Sequence, residues 1–236
     1  MKTIALALLA ALSLTGCKRS DPRGQSDPSA SPGHPATLAD MSGNYTITSA
    51  QNPGQATGYK GTVQIEKKTD VYRLHWTITG STPYHGIALP TGDGLGVGWG
   101  RGDQYGIVIY TVSGGSLHGV WALSDSDKVG TEDLTGPATL GGVYSIAHAA
   151  TPKGVSYTGQ VTITPTGGTY AVAWKLADGS GYAGVGITDG DKLIVGWGTA
   201  NKAAGVVDYK LRGGALAGTW AIPGGTALGQ ETLGRM

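Results

Sequence analysis

The 236-residue chain has a single cysteine and no phenylalanine at all. One cysteine excludes a disulfide within the chain and any cysteine-rich metal site. Charge is sparse and balanced, with 17 Lys and Arg against 16 Asp and Glu. A formal net charge of +1 excludes the electrostatic attraction that non-specific binding to nucleic acid requires. The five histidines, at positions 34, 75, 85, 118 and 148, lie at no zinc-like spacing. There is no Gly-x-Ser-x-Gly elbow and no evident Ser/His/Asp arrangement. The glycine-rich stretch Gly94 to Gly100 precedes no helical pattern, which removes dinucleotide and phosphate-loop readings. The chain therefore reads as non-catalytic, with no metal and no cofactor. Glycine itself is abundant, at 42 residues, but without Gly-X-Y periodicity or low-complexity runs, so collagen and wholesale disorder are excluded too.

The one long apolar run is N-terminal. Met1-Lys2-Thr3 precedes an apolar stretch from Ile4 to Leu14, the layout of a secretory signal and too short for a bilayer span of ~20 residues. It ends in Leu14-Thr15-Gly16-Cys17, which resembles a bacterial lipobox. That resemblance implies cleavage after residue 16 and lipidation (a palmitate-type anchor) of Cys17, the only cysteine present. Acyl chains at ~0.8 kcal/mol per buried methylene make a firm anchor when several are attached. Lys18 follows, not the Asp that resembles an inner-membrane retention signal, which points to the outer membrane, on its periplasmic face in preference to the cell surface. Residues 17–41 are rich in Ser, Pro, Asp and Gly and read as a flexible tether with a reach of ~25–30 Å.

The remainder is an internal duplication. Tyr59-Lys60-Gly61-Thr62-Val63 returns 98 residues later as Tyr157-Thr158-Gly159-Gln160-Val161. Trp76 maps to Trp174 and Val97-Gly98-Trp99-Gly100 to Val195-Gly196-Trp197-Gly198. After a one-residue insertion, Leu117-His118-Gly119-Val120-Trp121 maps to Leu216-Ala217-Gly218-Thr219-Trp220, and Gly130-Thr131-Glu132 to Gly229-Gln230-Glu231. All six tryptophans form matched pairs. Period-two alternation, as in Tyr72-Arg73-Leu74-His75-Trp76, predicts strands near 43–48, 58–66, 71–79, 84–89, 94–100, 105–112, 116–123 and 129–134, and eight more in the copy. Gly92-Asp93, Gly190-Asp191, Gly114-Gly115 and Gly213-Gly214 stand where hairpins must turn. The expected fold is all-β: two tandem, small, antiparallel up-and-down barrels of about eight strands, lipocalin- or avidin-like in architecture, one over 42–138 and one over 139–236.

Parity places Trp76, Trp99 and Trp121, and their copies Trp174, Trp197 and Trp220, on the apolar faces of their strands. Gly61 and Gly119 share that parity and would make room for large rings. Two readings stand: a packed core, or an aromatic-lined cavity for one small ligand. Because every large ring is Trp or Tyr, each brings a donor that needs a partner when buried. Glu132 and Glu231 share parity with Leu134 and Leu233, so if leucine faces inward the carboxylates do too. Each is then either a hydrogen-bond hub, a rim residue or a ligand-recognising acid. Arg101-Gly102-Asp103 resembles an integrin-binding tripeptide, but Thr199-Ala200-Asn201 replaces it in the copy, and an ordinary turn is the simpler reading.

The series Tyr-x-Gly-x-Val, Tyr-x-Val-x-Trp, Val-Gly-Trp-Gly, Leu-x-Gly-x-Trp and Gly-x-Glu-x-Leu, clearest over residues 157–233, is similar to small secreted bacterial β-barrel proteins often labelled fibronectin-binding. The resemblance implies a fold more than an activity, since its motifs are structural glycines and aromatics. The functional expectation is an envelope lipoprotein that binds a small ligand or a protein partner through the duplicated barrels. A structural envelope protein without a ligand, or a host-matrix adhesin, is the alternative.

Overall fold

The computed structural model describes residues 39–101, 104–199, 202 and 204–236. The expected signal segment 1–16, Cys17 and most of the expected tether lie outside the described residues, as do Gly102 and Asp103. The folded body begins earlier than composition suggests. Met41, placed in the expected tether by sequence, is buried at 2 % exposure and accepts a hydrogen bond from the Tyr45 hydroxyl at 3.0 Å.

The first repeat forms β1 (Gly43–Gln51), β2 (Gly61–Lys67), β3 (Tyr72–Ile78), β4 (Tyr84–Pro90), β5 (Gly94–Gly100), β6 (Tyr105–Ser113), β7 (Ser116–Leu123) and β8 (Val129–Thr135). The second forms β9 (Gly142–Ala150), β10 (Gly159–Thr166), β11 (Thr169–Leu176), β12 (Gly181–Asp189), β13 (Lys192–Thr199), β14 (Gly205–Arg212), β15 (Ala215–Ala221) and β16 (Gly229–Arg235). These agree closely with the alternation in the sequence. β1 runs three residues beyond expectation because a bulge between Ile47 and Ser49 lets it keep pairing with β16. The paired glycines of the β6–β7 and β14–β15 hairpins take positive φ at both positions (Gly114 53°, Gly115 93°; Gly213 57°, Gly214 85°). That is the geometry a two-residue turn needs to match strand twist.

The sixteen strands close two antiparallel barrels of eight, as expected, but the barrels do not coincide with the repeats. One barrel orders its strands β1-β2-β3-β4-β5-β14-β15-β16 and closes through β16 on β1. The other is the contiguous meander β6 to β13, closed through β13 on β6. We call them the terminal and inserted barrels. The assignment of one barrel to 42–138 and the other to 139–236 is therefore corrected. The last three strands of each repeat belong to the other repeat's barrel. Instead of folding back on β5, β6 continues away and pairs with β13, while β14 pairs with β5. Within the first crossover, Gln104 has φ of 63°, a left-handed conformation uncommon for a residue with a side chain. The exchange resembles domain swapping through a hinge loop, carried out within one chain. Its chemistry is neutral at each seam, because β6 and β14 are copies: Trp99 pairs with Gly205 and Trp197 with Gly106, one Gly–Trp pair exchanged for another.

Inside the terminal barrel, Tyr45, Ile47, Val63, Ile65, Leu74 and Leu95 pack with Leu216 and Leu233. Tyr144, Ile146, Val161, Ile163 and Leu193 do the same with Leu117 and Leu134 in the inserted barrel. A third cluster lies between the barrels, where Ile87, Leu89 and Val206 meet Ile107, Ile109, Ile187 and Ile194. The unbroken apolar run Ile107-Val108-Ile109-Tyr110 is thereby explained: alternate residues face the barrel lumen and the neighbouring barrel, so β6 is buried on both faces. Glycines allow the barrels to approach. A methyl at Gly98 would overlap the Gly106 carbonyl, and one at Gly196 would overlap that of Gly205. Gly96 sits 2.9 Å, measured from a would-be Cβ, from both Ile109 and Ile194. Gly98→Ala should separate the barrels locally and cost about 1–3 kcal/mol. A melting temperature unchanged from wild type would refute that account of the interface.

Polar contacts border the apolar seam. The Arg73 guanidinium donates to Asp127 at 2.8 Å and to the Ser124 carbonyl at 2.6 Å. Lys210 of β14 bridges Asp93 at 2.9 Å and Asp189 of the inserted barrel, with Asp208 at 3.4 Å. Asp208 is buried, with Oδ1 unpartnered, and burial pushes its carboxyl up to about 6 despite Lys210. An acid whose native pKa is raised holds its proton more tightly folded than unfolded, so its stability contribution falls as pH rises through about 6. Asp208→Asn should therefore raise the melting temperature at pH 7.5, by about 2–4 °C for a gain of order 1 kcal/mol. The gain should shrink as pH is lowered to 5, and a pH-independent effect in thermal scans would contradict it.

Candidate functional site

The inward parity of Glu132 and Glu231 is confirmed: both are only 3 % exposed. A carboxylate so placed must be met by donors. In the inserted barrel the Trp174 indole donates to Glu132 Oε1 at 2.9 Å, the Tyr110 hydroxyl donates to the same oxygen, and Tyr157 donates to Oε2 at 3.0 Å. In the terminal barrel the Trp76 indole donates to Glu231 Oε1 at 3.1 Å, with Tyr209 beside it.

Register explains the geometry. Tyr209 on β14 pairs with Gly218 on β15, and Gly218 pairs with Glu231 on β16. The tyrosine ring lies across the glycine, 2.6 Å from where a Cβ would stand, and so reaches the carboxylate two strands away. Tyr110, Gly119 and Glu132 repeat the arrangement. The small residue beneath a large ring, expected for Gly119 from parity, serves this purpose. Gly61, expected in the same role, abuts the backbone of β3 instead.

Burial raises the carboxyls of Glu132 and Glu231 above the usual range, and their hydrogen bonds only partly oppose it. The phenols of Tyr110 and Tyr209 are pushed well up by burial and then by the adjacent carboxylate, so they remain donors. Tyr59 and Tyr157 are raised for the same two reasons.

The eight side chains singled out by sequence fall into two groups, each spanning both repeats. Trp76 and Trp99 join Trp220 and Glu231, while Trp174 and Trp197 join Trp121 and Glu132. Trp76 and Trp174 are buried, at 6 % and 8 % exposure, and serve the carboxylates. The other four are half-buried at the barrel mouths. There they form an edge-to-face chain with two tyrosines: Tyr59, Trp220, Trp99 and Tyr84 in the terminal barrel, with centroids 6.1, 6.1 and 5.3 Å apart. Tyr157, Trp121, Trp197 and Tyr182 form the same chain at 6.3, 5.8 and 5.4 Å. Each rim indole rests on a glycine: Trp99 on Gly205, Trp220 on Gly229, Trp197 on Gly106 and Trp121 on Gly130. Tyr84 and Tyr182 stand at equivalent positions of the two repeats, but nothing in the sequence ties them to the tryptophans.

In the terminal barrel the aromatic mouth opens into a cavity of about 210 Å³ that descends to Glu231. Tyr59, Trp76, Tyr84, Trp99, Tyr209 and Trp220 line it with Ile78 and Val207; Asn52 and Ser81 are its polar additions. Both polar residues escaped the sequence reading, having no counterparts in the copy. Arg101 stands at this mouth, its guanidinium 4.1 Å from the Tyr84 ring centroid and 3.0 Å from the Ser81 hydroxyl. His75 is half-exposed and meets His85 across β3 and β4 at 3.2 Å. Among the described residues no three His, Cys, Asp or Glu side chains gather into a metal-binding set.

The copies differ at two atoms: the Trp121 indole donates to the Thr131 carbonyl at 3.3 Å, whereas the Trp220 indole nitrogen is buried without a partner. Glu132 Oε2 is occupied by Tyr157, whereas Glu231 Oε2 is buried with no donor within hydrogen-bond distance, although Tyr59 faces the same carboxylate. Comparison with protein-family models, curated proteins and solved structures finds no match to this chain. Function must accordingly be read from the geometry.

Removing the charge while keeping the shape tests the two hubs. Glu132→Gln places an amide where three donors converge and should cost about 1–3 kcal/mol. Glu231→Gln, with one oxygen unengaged, should cost less. Equal melting temperatures for both variants and wild type would mean that neither carboxylate is held as described.

Proposed function

We propose that this chain is a lipid-anchored envelope protein that binds a small ligand, without converting it, inside its terminal barrel. The observation that carries this reading is the cavity of about 210 Å³ that opens at a ring of aromatic side chains and has the buried residue Glu231 in its lining. Such a volume exceeds many times the ~10–15 Å³ that holds one water, yet lies below the 300–1,000 Å³ of drug-sized sites. A small molecule fits it. A mostly apolar wall with one or two placed polar groups is the usual make-up of such a site.

The inserted barrel is the structural partner in this reading. Its carboxylate is already met by three side chains, and its outer face shields the face of the terminal barrel that carries Gly96 and Gly98. The lipobox-like Leu14-Thr15-Gly16-Cys17 and the tether that follows support display from the outer membrane, on the periplasmic face. Against an adhesin role for Arg101-Gly102-Asp103 stands the engagement of Arg101 with Tyr84 and Ser81 at the cavity mouth.

Trp99 and Trp220 at the mouth make intrinsic fluorescence a direct reporter. Titration with a panel of small envelope metabolites should give a saturable emission change for at least one, at one site per chain. The change should be lost in Trp99→Ala. A flat response across the panel would refute an internal site.

A further inference from the structure

On the outer face of the terminal barrel two histidines meet, away from the aromatic cavity. We propose that His75 and His85 form a two-imidazole chelate for a borderline divalent transition-metal ion of the copper–zinc class. The site stands apart from the ligand cavity and does not depend on it. Ten residues separate the two histidines along the chain, which is no ligand spacing, but register closes the gap. His75 of β3 and His85 of β4 are direct cross-strand partners. Tyr72, Leu74 and Trp76 take the inward positions of β3. His75 therefore points outward, half-exposed, beside the exposed His85.

The geometry is that of a chelate. The two Nδ1 atoms stand 3.2 Å apart, with the rings tilted by 59° and their centroids 4.7 Å apart. An imidazole nitrogen binds zinc at about 2.0–2.1 Å. Two such bonds reaching nitrogens 3.2 Å apart meet at about 100–106°. That lies between the ~90° of neighbouring ligands in a tetragonal complex and the ~109° of a tetrahedron. Without a metal, one Nδ1 keeps a proton and donates it to the other; with both protons on Nε2, both Nδ1 lone pairs turn to a common ion. Neutral imidazole suits copper, nickel and zinc, whereas magnesium and calcium take oxygen. Two protein ligands leave the remaining positions to water, which makes the site open and exchangeable in contrast to a closed structural centre.

The fold does not need this pair. Ala173 and Ala183 hold the equivalent positions of the inserted barrel in the same cross-strand register, and that barrel closes in the same way. A hydrogen bond between two rings open to solvent competes with water and adds little to stability. Chelation is what two adjacent imidazoles provide and two alanines do not. The surroundings admit a cation. Gln64 stands opposite His75 and Gly100 opposite His85, so neither flanking strand sets a charge against the ion. Arg73, two residues along the same face of β3, is held by Asp127 at 2.8 Å.

The test is calorimetric titration of zinc, copper(II) and magnesium chlorides, each separately, into the whole chain at pH 7.5 in a non-coordinating buffer. Zinc should bind, copper more tightly still, and magnesium not at all. His75→Ala and His85→Ala should each weaken zinc at least about tenfold, the scale on which even the outer partners of metal ligands act. The double variant reproduces the alanine pair of the inserted barrel, so it should keep the wild-type melting temperature in chelator while losing the metal. His118, which meets Asp133 at 3.2 Å on the inserted barrel, is the control, and His118→Ala should leave zinc binding unchanged. If a His75 or His85 variant does not fold, the electron paramagnetic resonance spectrum of the wild-type copper complex decides. Coupling to two imidazole nitrogens supports the chelate; one nitrogen or none overturns it. No uptake of zinc or copper, or equal uptake by wild type and the double variant, overturns the proposal. So does uptake that is abolished by His118→Ala alone, which would move the metal to the inserted barrel.

Discussion

A carboxylate in the middle of a small barrel is the constraint around which each half of this molecule is arranged. Glu132 and Glu231 sit where hydrocarbon would ordinarily be, and a buried charge is tolerable only when it is hydrogen-bonded. The donors come from across the lumen: an indole from β11 or β3, and a phenol from β6 or β14 laid over a glycine. Trp and Tyr are suited to this because each combines a large apolar surface with one donor. The absence of phenylalanine is consistent with that economy, since Phe would fill the same space and leave the carboxylate bare.

The same hubs hold the two repeats together. Glu231 comes from the second repeat and Trp76 from the first; Glu132 comes from the first and Trp174 from the second. Each buried network is closed only when the last three strands of one repeat complete the other's barrel. The crossing strands then lie against one another, and Gly98, Gly106, Gly196 and Gly205 keep their backbones close enough for the isoleucines of β6 and β13 to be covered. The duplicated body is therefore one interlocked unit, with a contiguous barrel inserted into a discontinuous one.

Divergence between the copies is confined to small changes with large chemical effect. Where Tyr157 donates to Glu132, Glu231 keeps one buried oxygen with no donor within hydrogen-bond distance, and its barrel holds an open cavity. Asn52, Ser81 and Arg101 border that cavity alone, and their positions in the other repeat hold Thr151, Gly179 and Thr199. A duplication in which one copy keeps a filled network and the other opens it can acquire a ligand site at little risk to the fold, because the filled copy continues to support the shared interface.

Alternation of side chains located every strand to within about three residues, and the 98-residue repeat established two equivalent strand sets. The inward direction of the tryptophans and glutamates was also legible, because period two leaves each residue only one of two faces. The half-exposed state of the rim indoles was not, since parity assigns a face but no depth along the barrel. Nor was the identity of the residues that meet. The pairing of β6 could not be read from the chain, because β5 and β13 offer it nearly identical edges, Val-Gly-Trp-Gly in both cases. Local pairing energies are degenerate between the two choices. The choice falls to the folded body, in which crossing strands bury the outer isoleucines of both barrels, an interaction that exists only once all sixteen strands are in place.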